Sequence, residues 1–138
     1  MRVDLALRPE KPGLAVLAAT NTGSIPLTVT GWPRLVFTTV TGQVAEVVVE
    51  QTPLPREPRP VELKPGQTAF AGVQLVLDDR AEVVAIGSIE ARIGGALETE
   101  VNIISTVGDI LTNTSRLKAR EARIGTLQPT TDGLTTGL

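Results

Sequence analysis

Histidine, cysteine and tyrosine are absent from all 138 residues, and each absence excludes some chemistry. Without histidine the commonest general base near neutral pH is missing, and without cysteine there is no thiolate nucleophile, disulfide or soft metal ligand. Tyrosine's absence removes the phenolic acid. Aromatic side chains are scarce, with Trp32, Phe37 and Phe70 alone, so base stacking on aromatic rings has little to work with. Neither sign of charge dominates: 13 Lys and Arg stand against 15 Asp and Glu. That balance argues against phosphate backbones and anionic lipid surfaces as broad partners, and no apolar run is long enough to span a bilayer. The expectations are therefore no nucleic acid, no membrane insertion, no cofactor, no metal and no enzymatic activity.

What is present is short-range alternation. Apolar residues make up 41% of the chain and charged ones 20%, a balance suited to a packed core rather than disorder. Val3, Leu5 and Leu7 alternate with Arg2, Asp4 and Arg8, the pattern of a strand with one dry face. A second apolar run, residues 14–20, stops at Asn21-Thr22-Gly23-Ser24, whose side chains favour local turns. Further strands are expected over 27–30, 34–40, 44–50, 68–77, 83–86, 88–93 and 97–104. Thr41-Gly42-Gln43 should join 34–40 to 44–50 as a hairpin. Lys64-Pro65-Gly66-Gln67 suits a type II turn, and Gly94-Gly95 a tight connection. Four prolines between Thr52 and Pro60 (Pro53, Pro55, Pro58, Pro60) remove ladder donors and predict an irregular crossover. These patterns give an all-β fold class: an immunoglobulin-like β-sandwich of about eight or nine strands over residues 1–104.

Residues 105–138 read differently. Arg116, Lys118, Arg120 and Arg123 cluster around Glu121, and Thr, Gly and Pro dominate the stretch beyond Gly125. Ser115 as a cap and Gly125 as a stop frame a short helix at 115–123, followed by an extended arm. A tail of that composition is ordered only when something holds it, either its own domain or a neighbouring subunit.

The run Thr20-Asn21-Thr22-Gly23-Ser24, with Leu27-Thr28-Val29-Thr30-Gly31-Trp32-Pro33-Arg34-Leu35 and then Leu63-Lys64-Pro65-Gly66-Gln67-Thr68-Ala69, resembles the Asn-Thr, Leu-x-Gly-aromatic-Pro and Leu-x-Pro-Gly pattern of the DUF4232 family. The likeness covers residues 14–77. It implies a small immunoglobulin-like domain of the kind found in exported actinobacterial proteins and lipoproteins, with no established catalytic role. Ile25-Pro26 stands where that family commonly has a cysteine, and Met1-Arg2-Val3-Asp4 opens without an apolar signal segment.

Residues that remain eligible for a role are those of a binding surface. Trp32, between Gly31 and Pro33, either seals one end of the sandwich or anchors a partner, while Phe37 and Phe70 are expected in the core. Leu54, Arg56 and Arg59 lie in the stiff proline segment, where docking orders little new chain. Arg116, Lys118, Arg120 and Arg123 offer cations to an acidic partner or form a solvated face. Asp78-Asp79 reads as a solvated turn rather than a calcium loop. The expected function is structural or assembly work: the module attaches as a homo-oligomer or particle-bound protein to a larger homomeric surface, such as a phage capsid or tail. The alternative is a cell-envelope or secreted binding module whose upstream signal has been removed.

Overall fold

Ten β-strands and no helix appear among the residues described, 1–95 and 98–138, in the computed structural model. The strands are β1 (Arg2–Leu7), β2 (Leu14–Thr20), β3 (Leu27–Val29), β4 (Arg34–Thr39), β5 (Val48–Gln51), β6 (Val61–Leu63), β7 (Thr68–Leu77), β8 (Ile86–Arg92), β9 (Thr99–Ile104) and β10 (Ala119–Ile124). Eight form one sheet in the order β4-β8-β9-β1-β2-β7-β10-β5, and β3 and β6 form a second, two-stranded sheet. The all-β, sandwich-like class read from alternation is the class observed.

The large sheet begins and ends with strands that are consecutive in the chain, which fixes its shape. Thr38 bridges Val44, and the Ala45 N–H donates to the Phe37 carbonyl at 2.8 Å. Val48 follows three residues later, at most about 10 Å away along an extended chain. The two edges of the sheet must therefore curl toward each other. The curl encloses one core in which Phe37 and Ile89 of the β4–β8 wing join Leu17, Val73 and Ile124 of the β2–β7–β10 wing.

Several turns form as the residues dictate. The Gln67 N–H reaches the Lys64 carbonyl at 2.9 Å, and Gly66 takes the positive φ of 87° that the Pro-Gly turn needs. Asn21 is buried; its amide donates to the carbonyls of Ile25 and Leu63 at 2.9 and 2.8 Å and accepts from the Gly23 N–H at 3.0 Å. One side chain thus satisfies the turn after β2 and ties it to β6, a strand the proline-rich surroundings had hidden.

Four expectations are corrected. Residues 115–123 form no helix: a turn at Ser115–Arg116 leads into β10, because Ala119, Ala122 and Ile124 are buried between two strands. That strand is interior, paired antiparallel with β7 and parallel with β5, so the sheet does not end at residue 104 and 105–138 is not a detached arm. In place of separate strands at 83–86 and 88–93 there is one strand, β8, with a register shift opposite Thr38 and Thr39; Val83, Val84 and Ala85 precede it outside any strand. Phe70 is only half-buried, on the face opposite Ala69 and Ala71, whereas Phe37 fills the core as expected. Leu97, expected to begin the strand over 97–104, lies outside the described residues; β9 is described from Thr99.

The last residues close the domain on itself. Phe70 and Gln128 exchange backbone hydrogen bonds at 2.8 and 2.7 Å, and the Gly125 N–H meets the Gly72 carbonyl at 2.8 Å. Leu127, Leu134 and Leu138 are buried. Gly72 has no side chain because the Leu134 carbonyl and the Leu138 side chain lie where its Cβ would be. The ordering of this Thr- and Gly-rich segment comes from its own domain.

Candidate functional site

Splaying of β4 from β5 leaves two strand edges facing each other unpaired. The expected hairpin starts: the Gly42 N–H donates to Thr39 at 2.9 Å and the Thr39 N–H to Gln43 at 2.7 Å. It then opens. After the Ala45–Phe37 bond, the Val47 N–H turns back to its own chain, donating to the Ala45 carbonyl at 3.0 Å, a one-residue kink that aims the chain away from β4. β5 continues as the partner of β10, with Val48 opposite Glu121 and Gln51 opposite Ile124. At the far end the gap is spanned again, where the Trp32 indole N–H donates to the Thr52 carbonyl at 2.8 Å.

Between these two pins the backbone on each side is unused. Backbone groups of successive strand residues point to opposite sides. Since Phe37 faces β5, Leu35 does too. Directly after β5 the Thr52 N–H reaches the Ile124 carbonyl at 2.9 Å, so the even residues face β10, and Val49 and Gln51 turn their N–H and C=O groups into the gap. Among the described residues these groups have no backbone partner on that side. A hollow of ≈ 340 Å³ sits there, lined by Pro33, Arg34, Leu35, Val49 and Gln51.

Side chains around the gap are just as incompletely covered. Val49 shares its face with Ala122, which is fully buried, yet Val49 remains 41% exposed because no strand follows β5. Val48 on the other face is 69% exposed, so all four residues of β5 are open to solvent. Arg34 stands directly opposite Arg92 across the β4–β8 pair, and both line a smaller hollow of ≈ 180 Å³ with Val36 and Glu98. Like charges facing each other across a ladder repel. Among the described residues neither guanidinium has an ion-pair partner, although seven ion pairs form elsewhere.

The residues singled out from sequence fall in separate places. Trp32 is partly buried against the core and pins the gap. Leu54 and Arg56 hold the last segment: the Leu54 carbonyl accepts from the Thr126 N–H at 2.8 Å, the Thr126 hydroxyl donates to the Arg56 carbonyl at 2.7 Å, and the Arg56 guanidinium donates to Gln128 Oε1 at 3.1 Å. Arg59 is exposed. The basic cluster is divided by the strand that carries it. Arg116 is exposed beside Leu7 and Leu117, Lys118 donates to the Arg80 carbonyl at 3.5 Å, Arg120 pairs with Asp78 and Glu121 at 3.7 and 3.6 Å, and Arg123 pairs with Glu50 at 3.8 Å.

Asp78 is the most engaged carboxylate of the described surface. Hydrogen bonds from the Arg80 side chain first, and from the Arg80 backbone second, hold it below the ordinary carboxylate range, with the Arg80 and Arg120 charges adding to this. The turn at Asp78-Asp79-Arg80 thus uses its charge internally. Arg34, Leu35, Val49, Gln51 and Arg92 were not singled out by sequence. The available signal was the unbroken Val47-Val48-Val49, which departs from alternation at the point where the strand loses a buried face.

Comparison with known families gives one match: the model of a family described as a domain of unknown function (DUF4232) covers residues 3–96, more than the span that carried the resemblance. No curated protein and no solved structure matches the chain. The matched span runs from β1 through β8, so both walls of the gap lie inside it, while β10, which holds β5 in place, lies beyond it.

Proposed function

We propose, for a chain that belongs to the DUF4232 family, that it works as a non-enzymatic protein-interaction module, and that the gap between β4 and β5 is the surface that receives its partner. The observation that supports this is the pair of unpaired edges. Natural sheets blunt or cover their edges because an open row of backbone donors and acceptors recruits another strand, and here the row at Val49 and Gln51 adjoins a hollow lined by Leu35 and Val49 together with Arg34 and Gln51. Addition of an extended segment to such an edge is a general mode of recognition in which backbone hydrogen bonds give affinity and alternate side chains give specificity.

Assembly on a larger homomeric surface, such as a virion, remains a setting compatible with such a module, as does a cell envelope. A terminal segment in want of a neighbour had favoured the particle. That segment is held within its own domain, so strand capture is the narrower reading that the edges support. It is tested by panning a library of random extended hexapeptides against the full chain and against Val49→Pro. Proline removes the N–H that faces the gap and leaves the bonds to β10 in place. Peptides enriched on the full chain and lost on the variant support the reading; no enrichment over the variant overturns it.

A further inference from the structure

The gap's two walls differ in charge, and the difference identifies what kind of segment it takes. Resting on the interaction reading above, we infer that the partner is an acidic extended segment: one that pairs its backbone with Val49 and Gln51, lays an apolar side chain over Val49 and Leu35, and turns carboxylates toward Arg34 and Arg92.

Three independent features converge. The first is the backbone: Val49 and Gln51 present two donors and two acceptors two residues apart, the spacing at which an added strand meets them. The second is the apolar floor. Leu35 is 9% exposed and Val49 41% exposed, so two apolar side chains line the hollow beside Arg34 and Gln51, and a valine- or leucine-sized side chain laid over them completes the layer that ends at β5. The third is the cationic wall. Arg34 lines both hollows, Arg92 stands beside it, and neither is neutralised within the described chain, whereas the acid on the opposite wall, Glu50, is already paired with Arg123. Glu98 shares the smaller hollow without joining either guanidinium. A carboxylate placed between Arg34 and Arg92 relieves their repulsion and accepts bonds from both planar forks. A lysine in the same place adds a third cation.

The other exposed regions carry less. A hollow of ≈ 360 Å³ beside Glu46, Glu82 and Arg120 has its cation engaged by Asp78. The apolar depression at Leu7, Leu111 and Leu117 has nothing beside it that identifies an occupant.

The test uses two end-blocked pentapeptides, Val-Glu-Val-Glu-Val and Val-Lys-Val-Lys-Val, titrated into the full chain while amide exchange is followed residue by residue. The acidic peptide is expected to protect the amides of Leu35, Val49 and Gln51 and to bind about tenfold more tightly than the basic one, the effect of two exposed ion pairs. In the double variant Arg34→Gln, Arg92→Gln that preference should shrink to about twofold or less. Equal protection of the gap by both peptides overturns the acidic partner and leaves strand capture standing. Protection by neither overturns both. Amide dispersion of each variant in the absence of peptide reports that it is folded.

Discussion

Two flanks of one curled sheet have been finished in opposite ways. Past β7 the chain adds β10, continues its pairing with Phe70 and Gly72 through Gly125 and Gln128, and then brings Leu134 and Leu138 over Gly72. Past β4 the chain makes the same kind of start, a turn and two cross-strand contacts, and then kinks away at Ala45–Val47. The difference lies in what the residues after the turn meet. Ala122 and Ile124 find a paired strand on each side of β10, whereas Val48, Val49 and Glu50 find a partner on one edge only. Coverage of a strand by later parts of the chain, more than the strand's own composition, decides whether it becomes core or surface.

Removing a side chain from the covered flank should produce the largest effect. Leu127 is fully buried, and Leu127→Ala is expected to lower unfolding free energy by about 2–5 kcal/mol in a denaturant titration. A loss below about 1 kcal/mol would mean that the final segment is an accessory to the core. Gly72→Ala tests the same flank by crowding: its methyl group meets the Leu134 carbonyl and Leu138, with an expected cost of about 1–3 kcal/mol and faster exchange of the Gln128 amide. On the open flank, Trp32→Phe removes the bond to Thr52 and should cost about 1 kcal/mol, with exchange rising at Thr52 more than at Ile124. Val49→Pro should change stability by less than about 0.5 kcal/mol, because the N–H it deletes has no partner among the described residues; a larger loss would show that the edge is used internally.

The smallest effect concerns pH, at the turn between β7 and β8. Asp78 has its folded pKa lowered, so its contribution is fully present above the unfolded value of roughly 4 and is lost as pH falls through the lower, folded value. Denaturation midpoints of the wild-type chain should therefore fall more between about pH 5 and pH 2 than those of Asp78→Asn. An identical acid limb in both would show that the Arg80 and Arg120 contacts with Asp78 do not persist in solution.

Much of the architecture was legible in the residues because alternation and turn chemistry are local. Val3-Asp4-Leu5 and Ile89-Glu90-Ala91 announce their buried faces, and Pro65-Gly66 announces its turn. The parts that were not legible depend on distant chain. Residues 115–123 looked helical because Ser115 suits a cap and Gly125 a stop; only the presence of β7 and β5 on either side makes Ala119, Ala122 and Ile124 a strand. The hairpin over 34–50 was half right for the same reason, since the turn is local and the competing claim of β10 on β5 is not. The candidate gap inherits that limit. Trp32 could be named from its rarity, but Leu35, Val49 and Gln51 matter through edges that no short window of sequence displays.

The parallel pairing of β5 with β10 also sets an order in time. β5 is complete at residue 51, yet the strand that holds it ends at residue 124, so during synthesis from the N-terminus more than half of the chain must emerge before the second wall of the gap exists. Until then the ten-residue β7 also lacks its second neighbour. The nascent protein therefore passes through an interval in which the ten-residue β7 is open to the wrong company, and the gap gains its second wall only when β10 arrives.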